Sequence, residues 1–179
     1  MSAYPFPAAG LGIGGLHVRE LAVDDAPALA PALRDPAVGP EAGLPPLDEQ
    51  ELAAWIRQAA PQLRASGFIL PLAVHDAGEP VGGAMLTRHD PIRGQVELGY
   101  WLLRAAWGRG IATRVVRALA EHAFSTGLAR VEATVRPANE ASVRVLERAG
   151  FTREGVKRSG VPYAGGRADA YLYSLLEGE

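Results

Sequence analysis

The sequence predicts a single α/β domain of mixed α+β kind, and three observations carry that reading. A chain of 179 residues, 48% of them apolar, is sized for one hydrophobic core. Segments with strand-like alternation are interleaved with segments whose apolar residues recur every three or four positions. Several strand segments meet at short turn signals, which mixes hairpins among the helix and strand units.

Residues 1–15 are rich in Pro and Gly and read as a loose N-terminal segment. Residues 16–23 alternate as a strand, and Asp24 or Asp25 is placed to cap a helix through Leu29 and Leu33. The Pro- and Gly-rich residues 35–46 read as a loop. The next helix is capped by Asp48, carries Leu52, Trp55 and Ile56 on one face, and is interrupted at Pro61. Residues 68–75 and 80–88 form a hairpin around Asp76-Ala77-Gly78-Glu79, and a second turn at 89–94 leads into a strand over 95–103. In that strand Val96, Leu98, Tyr100 and Leu102 face one way, with Glu97, Gly99, Trp101 and Leu103 on the other face. A helix spans 110–125 and stops at Gly127; a strand follows over 128–135. Asn139 starts a helix that Gly150 ends, and strands near 151–157 and 168–176 close the chain. No repeat or linker divides it, so residues 1–179 form one domain.

Composition excludes several classes of function. Eighteen basic and twenty acidic residues give a formal charge of −2, with no run of either sign, so neither general nucleic-acid binding nor a polybasic membrane surface is expected. Cysteine is absent, which removes disulfides, a thiol nucleophile and thiolate metal sites. His17, His75, His89 and His122 lack ligand-like spacing, so no metal is expected. The N-terminus lacks a basic region followed by a long apolar run, and the expected location is cytoplasmic.

The segment Trp107-Gly108-Arg109-Gly110-Ile111-Ala112-Thr113 joins a strand to an amphipathic helix through a glycine-rich turn. Such a turn lets main-chain amides approach an anion closely. The helix also lacks Asp, Asn or Ser at its cap position, leaving its first N–H groups without an internal partner. Arg109, Arg114 and Arg117 lie around the first two turns, an arrangement that a bound phosphate would explain; a tight structural turn with solvated arginines is the other reading of the same residues. The turn lacks the lysine of a nucleoside-triphosphate loop and the third glycine of a dinucleotide fold.

Taken with Asn139-Glu140-Ala141-Ser142 and Gly150-Phe151 downstream, the glycine-rich turn resembles the acetyl-CoA pyrophosphate loop of the Gcn5-related N-acetyltransferase (GNAT) superfamily. Tryptophan at position 107, Glu97-Leu98-Gly99-Tyr100-Trp101-Leu102 before it and Asp169 with Tyr171-Leu172-Tyr173 near the end are similar to the RimJ/RimL-like ribosomal-protein branch. The resemblance covers residues 16–176. It implies a GNAT fold: a mixed, mostly antiparallel sheet of seven strands, flanked by helices and splayed between its fourth and fifth strands. It further implies acetyl-CoA as co-substrate, with the pantetheine arm in that gap. Carried onto this chain, the main chain of Trp101, Leu102 and Leu103 would meet the pantetheine amides. The turn from Trp107 through Gly108, Arg109, Gly110, Ile111, Ala112 and Thr113 would hold the pyrophosphate, Asn139 would contact the arm and Ser142 would lie near the thiol. Asn139 and Gly150 are equally the ordinary caps of one helix.

Acetyl transfer to an amine needs a deprotonated nucleophile and a protonated leaving thiol. Glu97, with space beside it at Gly99, is the candidate base, directly or through water; a solvent-facing strand carboxylate is the plainer reading. Many superfamily members carry a tyrosine acid seven residues after the motif asparagine, where this chain has Leu146. Ser142 takes its place as the candidate that orients or protonates the thiol. Asp169, Tyr171 and Tyr173 are candidates for the acceptor side. The expected activity is acetyl transfer to a primary amine, at a protein N-terminus or on a small molecule, and a catalytically weak acyl-CoA-binding protein is the reading from another class. A homodimer is compatible with the sequence.

Overall fold

The computed structural model describes residues 4–163 and 165–179. Its strands are β1 (Leu11–Ile13), β2 (Leu16–Glu20), β3 (Ile69–Asp76), β4 (Glu79–Asp90), β5 (Gln95–Leu102), β6 (Arg130–Val135), β7 (Thr152–Tyr163) and β8 (Gly166–Leu176). Its helices are α1 (Ala26–Arg34), α2 (Gly39–Ala42), α3 (Glu49–Gln58), α4 (Ala60–Ala65), α5 (Ile111–Ser125) and α6 (Glu140–Ala149). The strands form one sheet in the order β1-β2-β3-β4-β5-β6-β8-β7, antiparallel except at β5 and β6.

Eight strands replace the expected seven because part of the supposedly loose N-terminus is built into the sheet. Leu11 pairs with Val18 and Ile13 with Leu16, around Gly14 and Gly15, both at positive φ. Tyr4 is buried in the main core. A three-residue strand is too short to show alternation, which is why its sequence reads as coil. Residues 1–3 of that segment lie outside the described residues.

The two faces of the sheet bury separate cores. On one face α5 lays down Ile111, Val115, Val116, Leu119, Ala120 and Ala123, a stripe at helical spacing, against Val18, Leu72, Leu86 and Val96. On the other, Leu29 and Leu33 of α1 and Leu52 and Ile56 of α3 pack on Ala73, with Trp101 at their edge. Asp25 does not cap α1 with its side chain. Its carboxylate is 1% exposed and receives Arg19 on both oxygens at 2.8 Å, the Ala22 N–H at 2.8 Å and lies 2.9 Å from His75 Nε2, so it fixes the turn before the helix to the sheet. The loop expected over residues 35–46 contains α2, a single turn too short for periodicity to reveal. The closing hairpin is also longer than expected, because β7 is exposed along most of its length and shows no burial alternation.

One break in the sheet sets up the site. β5 and β6 pair in parallel only from Gln95 with Arg130 to Glu97 with Glu132, and beyond those residues the strands diverge. Residues 98–102 of β5 and 133–135 of β6 therefore border a fork, as the family resemblance implies.

Candidate active site

A cavity of about 80 Å³ sits in the fork, lined by Gly99, Tyr100, Thr134, Asn139, Ser142 and Leu146 among others. A cleft of about 630 Å³ lies alongside, bordered by Trp101, Trp107, Gly110, Ile111, Ser142 and Arg148 among others. Tyr100, Asn139, Ser142, Ala42 and Glu41 line both spaces.

Main-chain direction decides which β5 groups can reach into the fork. The Leu103 N–H donates to Val81 O at 2.9 Å, and in an antiparallel ladder every second residue turns its N–H and C=O to the same neighbour. Trp101 and the Leu103 N–H thus face β4, while Tyr100 and Leu102 direct their main-chain groups at the fork; the Leu103 carbonyl, past the end of β5, accepts the Ala106 N–H at 2.9 Å. Within the Trp101–Leu103 segment expected to meet the pantetheine amides, it is Leu102, with Tyr100 before it, whose main-chain groups are turned to the fork, because the resemblance marks a segment without resolving its alternation. The Leu102 carbonyl already accepts Trp107 Nε1 at 2.9 Å, which anchors the half-exposed indole at the cleft rim. The Trp101 indole lies over Gly83, where a Cβ would come within 2.8 Å of it.

The turn into α5 has the geometry of an anion site. Gly108 and Gly110 adopt φ of 73° and 71°, and α5 starts without a side-chain cap. The Arg114 N–H bonds to Gly110 O at 3.2 Å, which leaves the N–H groups of Ile111, Ala112 and Thr113 without an acceptor among the described residues. Three free donors at the positive end of a fifteen-residue helix favour a negative group. The three arginines around them are otherwise engaged: Arg109 pairs with Asp76, Arg114 donates to Gly14 O at 3.0 Å, and Arg117 donates to Arg148 O. Asp76 reaches Arg109 because Ala77 and Gly78, both at positive φ, close β3 on β4 in two residues. The cationic side chains bordering the cleft are instead Arg144 and Arg148 of α6, which spacing within the motif did not indicate.

At the start of α6, Asn139 Oδ1 accepts the Ser142 N–H at 3.1 Å, and Gly150 ends the helix at φ 99°. Asn139 Nδ2 donates to Glu41 Oε2 at 3.1 Å. The Tyr100 hydroxyl donates to Ser142 O at 3.2 Å, and burial pushes that phenol up to about 12, so it stays a donor at neutral pH. Leu146 is 1% exposed and belongs to the core. Leu146→Tyr is expected to overpack this site by about 1–3 kcal/mol, read as a lower midpoint in urea unfolding.

Glu97 stands at the apex of the fork and lines neither space. Arg88 Nη1 lies 2.9 Å from its Oε2, and Thr134 Oγ1 donates to its Oε1 at 2.9 Å. Thr134 lines the small cavity and links Glu97 to it. The candidates near the C-terminus have local partners: Asp169 accepts the Ser159 N–H at 2.8 Å across the β7–β8 bulge, Arg153 stacks on Tyr171, and buried Tyr173 donates to Glu147 at 3.1 Å.

Residues 16–152 match the Acetyltransferase (GNAT) domain family. The chain is a GNAT acetyltransferase. The acetyltransferase is 30% identical over 167 residues to the uncharacterized N-acetyltransferase p20 of Bacillus licheniformis, across 92% of this chain and 94% of that protein. It is 28% identical over 115 residues to the ribosomal-protein-serine acetyltransferase of Escherichia coli (strain K12), across 64% of each. Mycobacterium smegmatis RimJ in complex with CoA-disulfide superposes with a TM-score of 0.81 at 26% identity, over 95% of this chain and 84% of that one. Transfer of an acetyl group to an amine is thus the acetyltransferase's chemistry. Among its described residues no helix is long and apolar enough to cross a membrane.

Proposed function

We propose that the acetyltransferase moves the acetyl group of acetyl-CoA onto the free α-amine of a protein N-terminus, with ribosomal proteins in the cytoplasm as the first class of acceptor. The observation that carries this reading is the continuity of the two spaces. The cleft beside the three free amides of α5 shares Tyr100, Asn139 and Ser142 with the cavity in the fork. A cofactor with its pyrophosphate on those amides would run along this shared lining toward the cavity. The ribosomal-protein-serine relative supports a protein amine as the acceptor.

Acetyl-CoA supplies an activated thioester carbonyl. The amides of Ile111, Ala112 and Thr113 would hold the pyrophosphate, and Tyr100 and Leu102 would present the β5 edge to the arm. Asn139 sets the start of α6 against it. Glu97 takes the proton that the attacking amine sheds, through the Thr134 hydroxyl or a water beside it, and Arg88 holds the carboxylate in place. The Ser142 hydroxyl, which lines both spaces, would donate to the leaving thiolate. Ser142→Ala is expected to lower kcat by about 10-fold to 100-fold, or about 1.4–2.7 kcal/mol, with little change in CoA affinity. A wild-type rate in steady-state assays would reduce Ser142 to a helix residue.

The acceptor is tested by incubating enzyme and acetyl-CoA with peptides beginning in serine or alanine and with a panel of small amines, followed by mass spectrometry. Acetylation at the peptide N-terminus is expected. Acetylated small amines with unmodified peptides would move the acceptor class, and tight CoA binding with no product from any amine would favour a binding protein.

A further inference from the structure

The fork cavity has one acidic side chain in its lining among the described residues, and it is Glu41 of α2. Glu140 borders only the larger cleft and pairs with Arg144 at 3.3 Å on the exposed side of α6. The Glu41 side chain is 20% exposed and held from behind. Arg136 bonds to both of its oxygens, Asn139 Nδ2 donates to Oε2, and the Arg136 guanidinium is itself stacked 3.4 Å from the Tyr163 ring centroid. Oε2 therefore has two donors and Oε1 one, so a carboxylate with about two acceptor sites per oxygen keeps one site free on Oε1. The free site belongs to a group whose rotamer is fixed before anything binds, which lowers the entropy lost on recognition.

We infer that Glu41 is the residue that receives the ammonium form of the acceptor at the mouth of the fork. A primary ammonium offers three donors on a compact charge, which suits one open carboxylate site, and it would be desolvated there next to the cavity that Glu97 reaches through Thr134. Two carboxylates then divide the work: Glu41 selects a cationic amine over its neutral acylated form, and Glu97 takes the proton. Release of an N-acetylated product follows from the same preference, since the amide no longer carries the charge that Glu41 holds. This inference rests on the amine-acetylation reading above.

The test is calorimetric binding to enzyme saturated with CoA, using a tetrapeptide with a free N-terminal serine and its N-acetylated counterpart. Wild type is expected to bind the free amine about 10-fold more tightly than the acetylated peptide. Glu41→Gln should bring the two within about two-fold while CoA affinity holds, because Gln still accepts from Asn139. Arg136→Gln should keep or increase the preference, because it frees a further site on the carboxylate. The double variant, which leaves no unpaired charge, should lose the preference as Glu41→Gln does. Equal loss in both single variants would make the pair a structural clasp and overturn the assignment. So would a preference that survives Glu41→Gln, a wild type with no preference, or a Glu41→Gln enzyme whose main defect is CoA binding. Product formation by wild type with acetyl-CoA is read separately. Its absence would count against the protein-amine acceptor, while the binding comparison still decides the role of Glu41.

Discussion

Gly110→Val is expected to weaken CoA binding by about 100-fold or more while the protein remains folded. Gly110 holds φ at 71°, and a β-branched residue there is strained by about 1–2 kcal/mol, which pulls the start of α5 toward an ordinary helical entry. That shift moves the N–H groups of Ile111, Ala112 and Thr113, and hydrogen bonds to a charged group contribute about 1.5–3 kcal/mol each. The fold has room for the side chain, since a Cβ at Gly110 would meet nothing within 4 Å. Gly127→Val is the matched control at the far end of the same helix: φ is 89° and its Cβ also meets nothing within 4 Å. It should lower the melting temperature similarly and leave CoA affinity intact. Comparable losses of CoA affinity in both variants would show that the effect is general strain.

Glu97→Gln is expected to lower kcat/KM by about 10²-fold to 10⁴-fold, the range for a lost general base, and to remove the fall in rate toward low pH that protonation of such a base causes. Glutamine keeps an acceptor for Thr134 and loses the ion pair with Arg88. Arg88→Gln therefore separates the two roles, and it should reduce the rate less while keeping the shape of the pH profile. Acetyl-CoA affinity, measured by calorimetry, should change by less than about two-fold in either variant. A Glu97→Gln enzyme with an unaltered pH–rate profile would place the base elsewhere.

The parts of this site that could be read from the sequence are the ones that local chemistry dictates. Gly108 and Gly110 before an uncapped helix, and Asn139 and Gly150 around the next one, act within a few residues of themselves, and each has the conformation its residue type favours. The parts that were not legible depend on tertiary partners. Which β5 residues face the fork follows from the hydrogen bond of Leu103 to Val81, which a sequence does not contain. Arg109 turns to Asp76, 33 residues away, and so does not add its charge freely to the anion site. Glu41 lies in a Pro- and Gly-rich stretch with no periodic signal and reaches the site only through Arg136 and Asn139, 95 and 98 residues later. The short β1 and α2 escaped for a simpler reason: three residues of strand and four of helix complete only about one period each, too few to show a repeat.

The proposed function rests on the placement of the cofactor along the first amides of α5 and into the fork between β5 and β6. It is tested most directly by following main-chain amide resonances while CoA is titrated into uniformly ¹⁵N-labelled enzyme. The largest perturbations are expected at Ile111, Ala112 and Thr113, with a second group at Tyr100 and Leu102 and smaller changes at Trp101 and Leu103, whose N–H groups point to β4. Perturbations concentrated on the exposed β7–β8 hairpin, with Ile111 to Thr113 unmoved, would contradict that placement.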